Sequence, residues 1–322
     1  VIIMSINRGK VVIIGTSNVG SAVLNKIADF QLASEIALID LDMNRARGEA
    51  LDTSHAMSSP YSTNIKIHTG TYEDCRDAAF IVITAGPSIL PGEKPDRLKL
   101  ASTNTKIMRS IFSEIVKYTK EAMVIMITNP LDVATYVVST EFDYPREKIL
   151  GTGTMLETYR FRYLLAEHYD MDPKNIHGYV LGEHGNDAFV AWSTVNCAGL
   201  GIDHLDEYFH FKERLNRHDI EQGLIQTAYD VINLKGFTNT GIAMVACRFI
   251  KAILYNEHTI LPCAAVMNGE YGMKDVALSI PRMIAQDGIV RSLEVRLADD
   301  EMEKLSRAQK SVRAALDGAG VK

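Results

Sequence analysis

Two short segments hold residues that could transfer a proton. His184 lies in the run Gly-Glu-His-Gly-Asn at 182–186, and the glycines favour a tight turn at the wall of a pocket. In a helix that starts near Thr154, Glu157 and Arg160 lie three residues apart on one face. A histidine beside a carboxylate can give and take a proton, because the carboxylate orients and stabilises the imidazolium. The pattern therefore predicts acid–base chemistry at His184.

Two arginines could bind a substrate that carries a carboxylate and a carbonyl. A guanidinium group offers a planar fork to a carboxylate, and a second one can polarise a carbonyl where negative charge develops. Arg160 and Arg97, which follows Pro-Gly-Glu at 91–93, fit these roles. Taken alone, Glu157 and Arg160 could equally form an exposed ion pair that contributes little. The prediction therefore depends on His184, Glu157 and the arginines acting together.

A glycine-containing turn predicts a dinucleotide site. Residues 15–20 read Gly-Thr-Ser-Asn-Val-Gly and follow a β-branched run at 11–14. They resemble GxGxxG with the middle glycine replaced by Ser17. A helix that starts there would present free N–H groups and a positive dipole end to a pyrophosphate. We expect Ser17 to hold the phosphates slightly further away or to add a hydroxyl contact.

Asp40 indicates which dinucleotide binds. It ends the second predicted strand, 20 residues beyond Gly20. A carboxylate there can accept hydrogen bonds from the adenosine ribose and would repel a 2′-phosphate. Asp40 therefore favours NAD over NADP, although a turn aspartate at the end of a strand is also common.

The elements that would position these residues suggest two domains. Apolar runs at 11–14, 36–40, 80–84 and 124–128 alternate with helix-length segments, which predicts a Rossmann-type, doubly wound parallel sheet at 8–151. Residues 152–322 read as a mixed α+β catalytic domain, with a strand at 176–181 and a long helix within 203–234. A chain of 322 residues also exceeds the roughly 250 at which single cores stop growing. A last helix, beginning near Asp299 or Asp300, would bury one face: Met302, Leu305, Ala308, Val312 and Leu316.

Composition narrows the class of partner. A net charge of −6 without a long basic block argues against nucleic acid or an anionic membrane surface and favours a small molecule. Four scattered cysteines without CxxC spacing predict reduced thiols, no zinc site and a cytosolic location. The apolar run at 1–4 is too short for a signal sequence or a membrane span.

Three ordered motifs together resemble the L-lactate and malate dehydrogenase family over nearly the whole chain. They are Thr-Asn-Pro-Leu-Asp at 128–132, the Gly-Thr-Gly-Thr helix start at 151–154 and the turn at 182–186. The resemblance implies an NAD-dependent dehydrogenase in which His184 is the acid and base. It implies that Arg160 binds the substrate carboxylate and that Arg97, on a loop, polarises the carbonyl. In that family the partner of the histidine is aspartate, whereas Glu157 is one methylene longer.

The residues expected to bind ligands form two groups. The cofactor group is Gly15, Ser17, Asn18, Val19, Gly20, Asp40, Thr84, Ala85, Gly86 and Asn129. The substrate group is Arg160, Asn129, Ile89 and Thr238. The resemblance places Asn129 near both the nicotinamide ribose and the substrate.

Ile89 bears on the choice of substrate. It occupies the place of a specificity residue that is glutamine in lactate dehydrogenases and arginine in malate dehydrogenases. An apolar residue gives a second carboxylate no partner, so oxaloacetate is disfavoured. Ile89, the turn at 182–186 and the segment 189–194 also resemble L-2-hydroxyisocaproate dehydrogenases, which take larger apolar 2-oxoacids. Thr238 matches the pocket threonine of lactate dehydrogenases, and we expect L-lactate dehydrogenase activity on pyruvate, with the larger acids as the alternative.

The resemblance also implies assembly. Arg162 and His177 match positions that line the subunit axis in lactate dehydrogenases, where bacterial members bind fructose 1,6-bisphosphate. Simple subunit packing explains the same residues. We expect a homotetramer, or a dimer, and fructose 1,6-bisphosphate stays open as an effector.

Two other classes of protein stay open. One is an inactive dinucleotide-binding protein, suggested by Ser17 and Glu157. The other is a structural oligomer, which would need neither the histidine nor the arginines.

Overall fold

The structure is a computed structural model that describes residues 7–87, 97–209 and 214–321. Twelve strands in this part of the chain form one sheet, and helices cover it. In chain order the strands are β1 Asn7–Ile14, β2 Glu35–Ile39, β3 Lys66–Thr69, β4 Ala78–Ile83, β5 Met123–Met126, β6 Ile149–Gly151, β7 Ile176–Gly182, β8 Ala188–Cys197, β9 Leu200–Gly201, β10 Thr259–Asn268, β11 Lys274–Ala285 and β12 Gly288–Ser292.

The first half of the sheet is the predicted doubly wound fold. Its order is β3-β2-β1-β4-β5-β6, and each neighbouring pair is parallel. Strands β2, β4 and β5 are buried on both faces, which explains why they read as continuous apolar runs rather than as alternating ones. The prediction of a Rossmann half followed by a mixed half is confirmed.

Nine α-helices connect or cover the strands in the described residues. They are α1 Asn18–Asp29, α2 Met43–Ala56, α3 Arg97–Ile115, α4 Leu131–Glu141, α5 Met155–Tyr169, α6 Ile202–Phe209, α7 Arg217–Lys235, α8 Thr240–Leu254 and α9 Asp299–Gly318. The long helix expected within 203–234 is α7, and α6 is a separate, shorter helix before it. No single described helix is long and apolar enough to cross a membrane; α7 and α8, bent by 117° where they meet, reach that length and composition only as a pair.

The second half of the sheet is antiparallel and joins the first without a break. Strand β10 pairs with β6 through Ala264 and Gly151, and the order continues β10-β11-β7-β8-β9. Strand β12 pairs with β11. Because β6 pairs with β5 on one side and β10 on the other, both halves share one hydrogen-bonded sheet.

Helix α9 packs on the antiparallel half with the face expected from its sequence, with one exception. Leu305, Ala308, Val312 and Leu316 are buried, but Met302 is only partly so. The buried residue of the first turn is instead Glu301, whose carboxylate accepts hydrogen bonds from the Ser193 backbone at 2.9 Å and from Ala298 N at 2.9 Å. Glu301 therefore caps α9 and ties it to β8.

Candidate active site

The turn after β1 requires glycine at two positions. Gly15 has φ of +96°, a left-handed conformation that a side chain rarely adopts. A Cβ atom on Gly20 would lie 1.9 Å from the carbonyl oxygen of Gly15. Ser17, the N-cap of α1, has φ of −73°, which any residue adopts. The replacement of the middle glycine therefore leaves the turn intact, and Ser17 and Asn18 are exposed at the start of the helix.

Asp40 follows β2 and faces this turn. Its Oδ2 accepts hydrogen bonds from the backbone N–H of Thr16 at 2.6 Å and from the Thr16 hydroxyl at 2.8 Å, and its Oδ1 accepts one from Asp42 N at 2.9 Å. Partial burial opposes ionisation, but these hydrogen bonds hold the pKa of Asp40 below its usual value. Oδ2 already accepts two hydrogen bonds, but Oδ1 accepts one and can still accept a second from a ribose hydroxyl. The role of Thr16 had no signal in the sequence.

The carboxyl ends of β1, β4 and β5 meet at the same edge of the sheet. The Thr84 hydroxyl donates to Gly15 O at 2.8 Å, and the Thr128 hydroxyl donates to Ala85 O at 2.8 Å. Asn129 comes next and is exposed. In open α/β sheets ligands bind outside the carboxyl ends of the strands, at the point where strand order reverses. The exposed N-terminus of α1, the glycine turn and the Asp40 carboxylate together fit NAD.

The first turn of α5 is fixed between two strands of the antiparallel half. Thr154 N donates to Ser279 Oγ at 3.1 Å, and Thr154 Oγ1 donates to Val180 O at 2.5 Å. This anchoring points Glu157, one turn into the helix, at the segment that follows β7. His184 lies there, and its Nδ1 is 2.7 Å from Glu157 Oε1. The longer glutamate side chain therefore reaches the histidine.

Charge coupling between these two side chains is strong. Nδ1 of His184 and Oε1 of Glu157 lie at a short ion-pair distance, with Glu157 buried and His184 partly buried. Burial opposes the positive charge, but the negative charge of Glu157 outweighs it and raises the pKa of His184 to about 9. Conversely, although burial favours the neutral acid, His184 lowers the pKa of Glu157. The imidazole is therefore poised to carry a proton at neutral pH.

Arg160 lies three residues after Glu157 on α5 and is partly buried. In the described part of the chain its guanidinium has no hydrogen bond and no ion pair within 4 Å. The exposed ion pair between Glu157 and Arg160 is thus not formed, because Glu157 faces His184. Burial lowers the pKa of Arg160, and Glu157 partly offsets this effect. An unpaired guanidinium beside an imidazolium can receive a carboxylate.

Three side chains from other elements hold the histidine turn. The backbone N–H of His184 donates to Asp132 Oδ2 at 2.7 Å, at the start of α4. From α9, Arg307 donates to Asp187 at 2.8 Å and the Ser311 hydroxyl donates to Glu183 at 3.1 Å. Asp132 ends the Thr-Asn-Pro-Leu-Asp motif at 128–132, but the sequence does not indicate that it contacts His184.

Another polar residue that sequence reasoning missed is Asn104 of α3, which is buried. Its Nδ2 donates to Pro87 O at 3.2 Å and to Asn129 O at 2.5 Å. It therefore links the end of the segment after β4 to the backbone of Asn129. No pattern in the sequence singles out one asparagine in a long helix.

The remaining predicted residues lie in three places. Thr238 is in the turn before α8, whose Gly241 packs so tightly on Leu156 that a Cβ would lie 2.7 Å from it. Arg162 donates to Gly178 O at 3.0 Å, and His177 is exposed on β7. Arg97 begins α3, but its side chain, together with Ile89 and the segment 88–96, lies outside the described residues.

Two family models match the chain, and the boundary between them lies where the parallel half of the sheet meets the antiparallel half. Residues 9–151 match the model of the lactate/malate dehydrogenase NAD-binding domain, and residues 154–320 match that of the lactate/malate dehydrogenase alpha/beta C-terminal domain.

Similar proteins cover almost the full length. The L-lactate dehydrogenase of Selenomonas ruminantium is 73% identical over 98% of this chain and 99% of its own. The L-lactate dehydrogenase 2 of Clostridium acetobutylicum is 47% identical over 98% of each. Among solved structures, a ligand-bound minor L-lactate dehydrogenase from Enterococcus mundtii superposes with a TM-score of 0.89 at 35% identity, covering 96% of this chain and 97% of the other.

Proposed function

This chain belongs to the lactate/malate dehydrogenase family, and we propose that it reduces pyruvate reversibly to L-lactate, with His184 as the acid and base. It is an NAD-dependent oxidoreductase that acts on CH–OH donors. The observation that carries the proposal is the partly buried His184–Glu157 pair near the guanidinium of Arg160, which has no ion pair among the described residues. The names of the two relatives support pyruvate as the substrate.

The mechanism follows from which atoms are engaged. Nδ1 of His184 faces Glu157, so Nε2 is the nitrogen left to donate a proton to the carbonyl oxygen of the 2-oxoacid. Arg160 binds the substrate carboxylate, and Arg97 polarises the carbonyl. When bound, NADH supplies the hydride that reduces the keto carbon. The hydroxyl of the product thus carries the proton from His184, and Glu157 stabilises the imidazolium before transfer.

The residues that would hold the cofactor are those at the carboxyl ends of the parallel strands. Asp40 would accept the ribose hydroxyls, and the N-terminus of α1 at Ser17 and Asn18 would receive the pyrophosphate. Thr84, Ala85, Gly86 and Asn129 would line the nicotinamide half. We assign residues 8–151 to the cofactor-binding domain and 152–322 to the catalytic domain, and the residue ranges of the two family models support this division.

The experiment that tests the proposal is steady-state oxidation of NADH with pyruvate, 2-oxoisocaproate and oxaloacetate in parallel. We expect the highest kcat/KM with pyruvate. A preference for 2-oxoisocaproate would instead support the alternative of a larger apolar pocket, with Ile89 and Thr238 as its specificity residues. His184→Asn is the catalytic control, because it removes the proton donor, and unchanged turnover in that variant would refute the mechanism.

We also propose a homotetramer. Apolar side chains are exposed along α7 and at α8, and such patches are typical of subunit interfaces. They are Ile225, Tyr229, Ile232, Leu234 and Met244. Sedimentation equilibrium measures the oligomeric state: a dimer would favour the alternative expected from the sequence, and a monomer would contradict assembly altogether.

Arg162 and His177 are the residues that match the effector positions, and Arg162 makes a hydrogen bond within the chain. Arg162 is bound to Gly178 O and, with Lys174, lines an open cavity of about 550 Å³ on the outer face of α5. His177 lies one residue before Gly178. We assign Arg162 and His177 to subunit packing, and activation by added fructose 1,6-bisphosphate would favour the effector site instead.

Four free, buried cysteines support a cytoplasmic location, where thiols stay reduced. They are Cys75, Cys197, Cys247 and Cys263. Fractionation of the cells that make the protein checks this assignment.

A further inference from the structure

A buried carboxylate contacts the backbone of the proposed catalytic histidine and takes no direct part in the proton transfer. Asp132, the second residue of α4, is 3% exposed. Its Oδ2 accepts the backbone N–H of His184 at 2.7 Å, whereas its Oδ1 is buried and has no hydrogen-bond partner among the described residues. An unpaired buried carboxylate oxygen is costly for the folded state, and the cost is larger for a charged group than for a neutral one.

The charge of Asp132 is coupled to the site from several directions. Burial raises the pKa of Asp132 to about 7, and the positive charge of His184 opposes that rise, whereas Glu183 and Glu157 add to it. In turn Asp132 adds to the effect of Glu157 in raising the pKa of His184, and Arg160 opposes both. These groups come from α4, α5 and the turn after β7; α9 reaches them through the neutral hydroxyl of Ser311, which donates to Glu183.

The position of Asp132 in its helix lowers the cost of its charge. It lies in the first turn of α4, where free backbone N–H groups and the helix dipole favour a negative group. The same helix start follows Asn129, so the carboxylate joins the cofactor edge of the sheet to the histidine turn.

We propose that Asp132 is a positioning residue for the proton transfer, which holds the backbone of His184 against α4 and places a second buried negative charge beside the imidazolium. The inference rests on the proposed role of His184. Glu157 contacts the ring, and Asp132 acts from the backbone side. Above about pH 7, where Asp132 as well as Glu157 is ionised, His184 keeps its proton until the 2-oxoacid is bound.

The test separates the loss of the negative charge of Asp132 from the loss of the hydrogen bond that holds the His184 backbone. Asp132→Asn keeps an oxygen that accepts the His184 N–H but removes the charge. Asp132→Ser is a second neutral acceptor, measured in parallel so that the result does not depend on one variant folding. The matched control is Asp187→Asn, which breaks the ion pair with Arg307 in the same turn without touching Asp132.

The readout is the titration of His184 in the NADH complex of the full-length enzyme, followed by NMR of 13C-labelled histidine. The signal is assigned from its loss in His184→Gln. We expect the midpoint of Asp132→Asn to fall by about one pH unit or more, as when an opposite charge near a titrating group is removed. The alkaline limb of kcat/KM for pyruvate should move with it, and Asp187→Asn should leave both in place.

Two outcomes would overturn the proposal. One is a His184 midpoint in both neutral variants equal to that of the wild type. The other is an equal shift in Asp187→Asn, which would assign the effect to loosening of the turn. If the wild type does not turn over pyruvate, the proposed function fails, but the NMR titration still decides whether the charge of Asp132 acts on His184.

Discussion

Replacing Glu157 by glutamine tests the link between the ion pair and catalysis most directly. The change removes the negative charge 2.7 Å from His184 Nδ1 and keeps the length of the side chain and one of its oxygens. With the charge gone, Asp132 is the one remaining described group that opposes the effect of burial on the pKa of His184. The pKa of His184 should then fall from about 9 toward its ordinary value of 6.5.

The expected loss of activity follows from this fall in the pKa of His184. A fall of roughly 2.5 pKa units corresponds to about 3 kcal/mol of lost stabilisation of the protonated over the neutral imidazole. Near pH 8 the protonated fraction of His184 would drop from about nine-tenths to about 3%. Because only the protonated form can donate to the carbonyl oxygen, kcat/KM for pyruvate at this pH should fall by up to roughly 30-fold.

The assay is a pair of pH profiles, one for each direction of the reaction. In the wild type, pyruvate reduction should be lost as the pH rises through about 9, since the raised pKa keeps the acid form below that value. In Glu157→Gln the loss should begin near pH 6.5, the ordinary value. Lactate oxidation needs the neutral imidazole and should show the opposite dependence.

Glu157→Asp is the matched control, because it keeps the charge and shortens the side chain by one methylene. It should keep a midpoint near that of the wild type, even if its maximal rate changes. An unchanged midpoint in Glu157→Gln would refute the reasoning, because Glu157 would then not be what holds the proton on His184.

Three further substitutions, one of them with a control variant, test other parts of the site and fold. Arg160→Lys keeps the charge but loses the planar fork, so KM for pyruvate should rise and kcat/KM should fall by about 10- to 100-fold, with NADH binding unchanged in a fluorescence titration. Gly20→Ala places a Cβ 1.9 Å from the carbonyl of Gly15, so NADH affinity should be lost in the same titration, whereas Ser17→Gly should retain it. Glu301→Ala removes the acceptor of the Ser193 backbone N–H and one of the two acceptors of the Ala298 N–H, which should lower the free energy of unfolding by about 1–3 kcal/mol in urea.

Each of these has a contrary result. Equal KM values for wild type and Arg160→Lys would remove Arg160 from carboxylate binding. Tight NADH binding by Gly20→Ala would show that the turn can rearrange. A urea midpoint unchanged in Glu301→Ala would mean that water replaces the carboxylate.

The sequence predicted the parallel half well, because a single physical signal dominates there. Strands buried on both faces must be apolar throughout, and β1, β2, β4 and β5 begin or end within a few residues of the predicted runs. The antiparallel hairpin of β10 and β11 was not predicted. Its apolar runs are interrupted by Pro262 and Pro281, which normally argue against a central strand, yet these two residues lie opposite each other in the pair.

In the site, too, local spacing was predictable from the sequence, whereas contacts between distant segments were not. A spacing of three residues in a helix gives Glu157 and Arg160 a common face, but it cannot indicate that Glu157 faces His184, which lies in a turn far along the chain. The contacts of Asp132 and Glu301 are likewise long-range: 52 and 108 residues separate them from His184 and Ser193. First-turn acidic residues are typical of helix starts, so neither was distinguishable from an ordinary one.

The pairing of β6 with β10 limits how the protein could be taken apart. Cutting the chain after Gly151 would strip β6 of one neighbour and leave its buried residues Ile149 and Leu150 on an open border of the sheet. Unpaired, apolar sheet borders recruit other chains and cause aggregation. The first 151 residues are therefore not a transplantable NAD-binding module, and a fusion protein that borrowed them would need a substitute strand alongside β6.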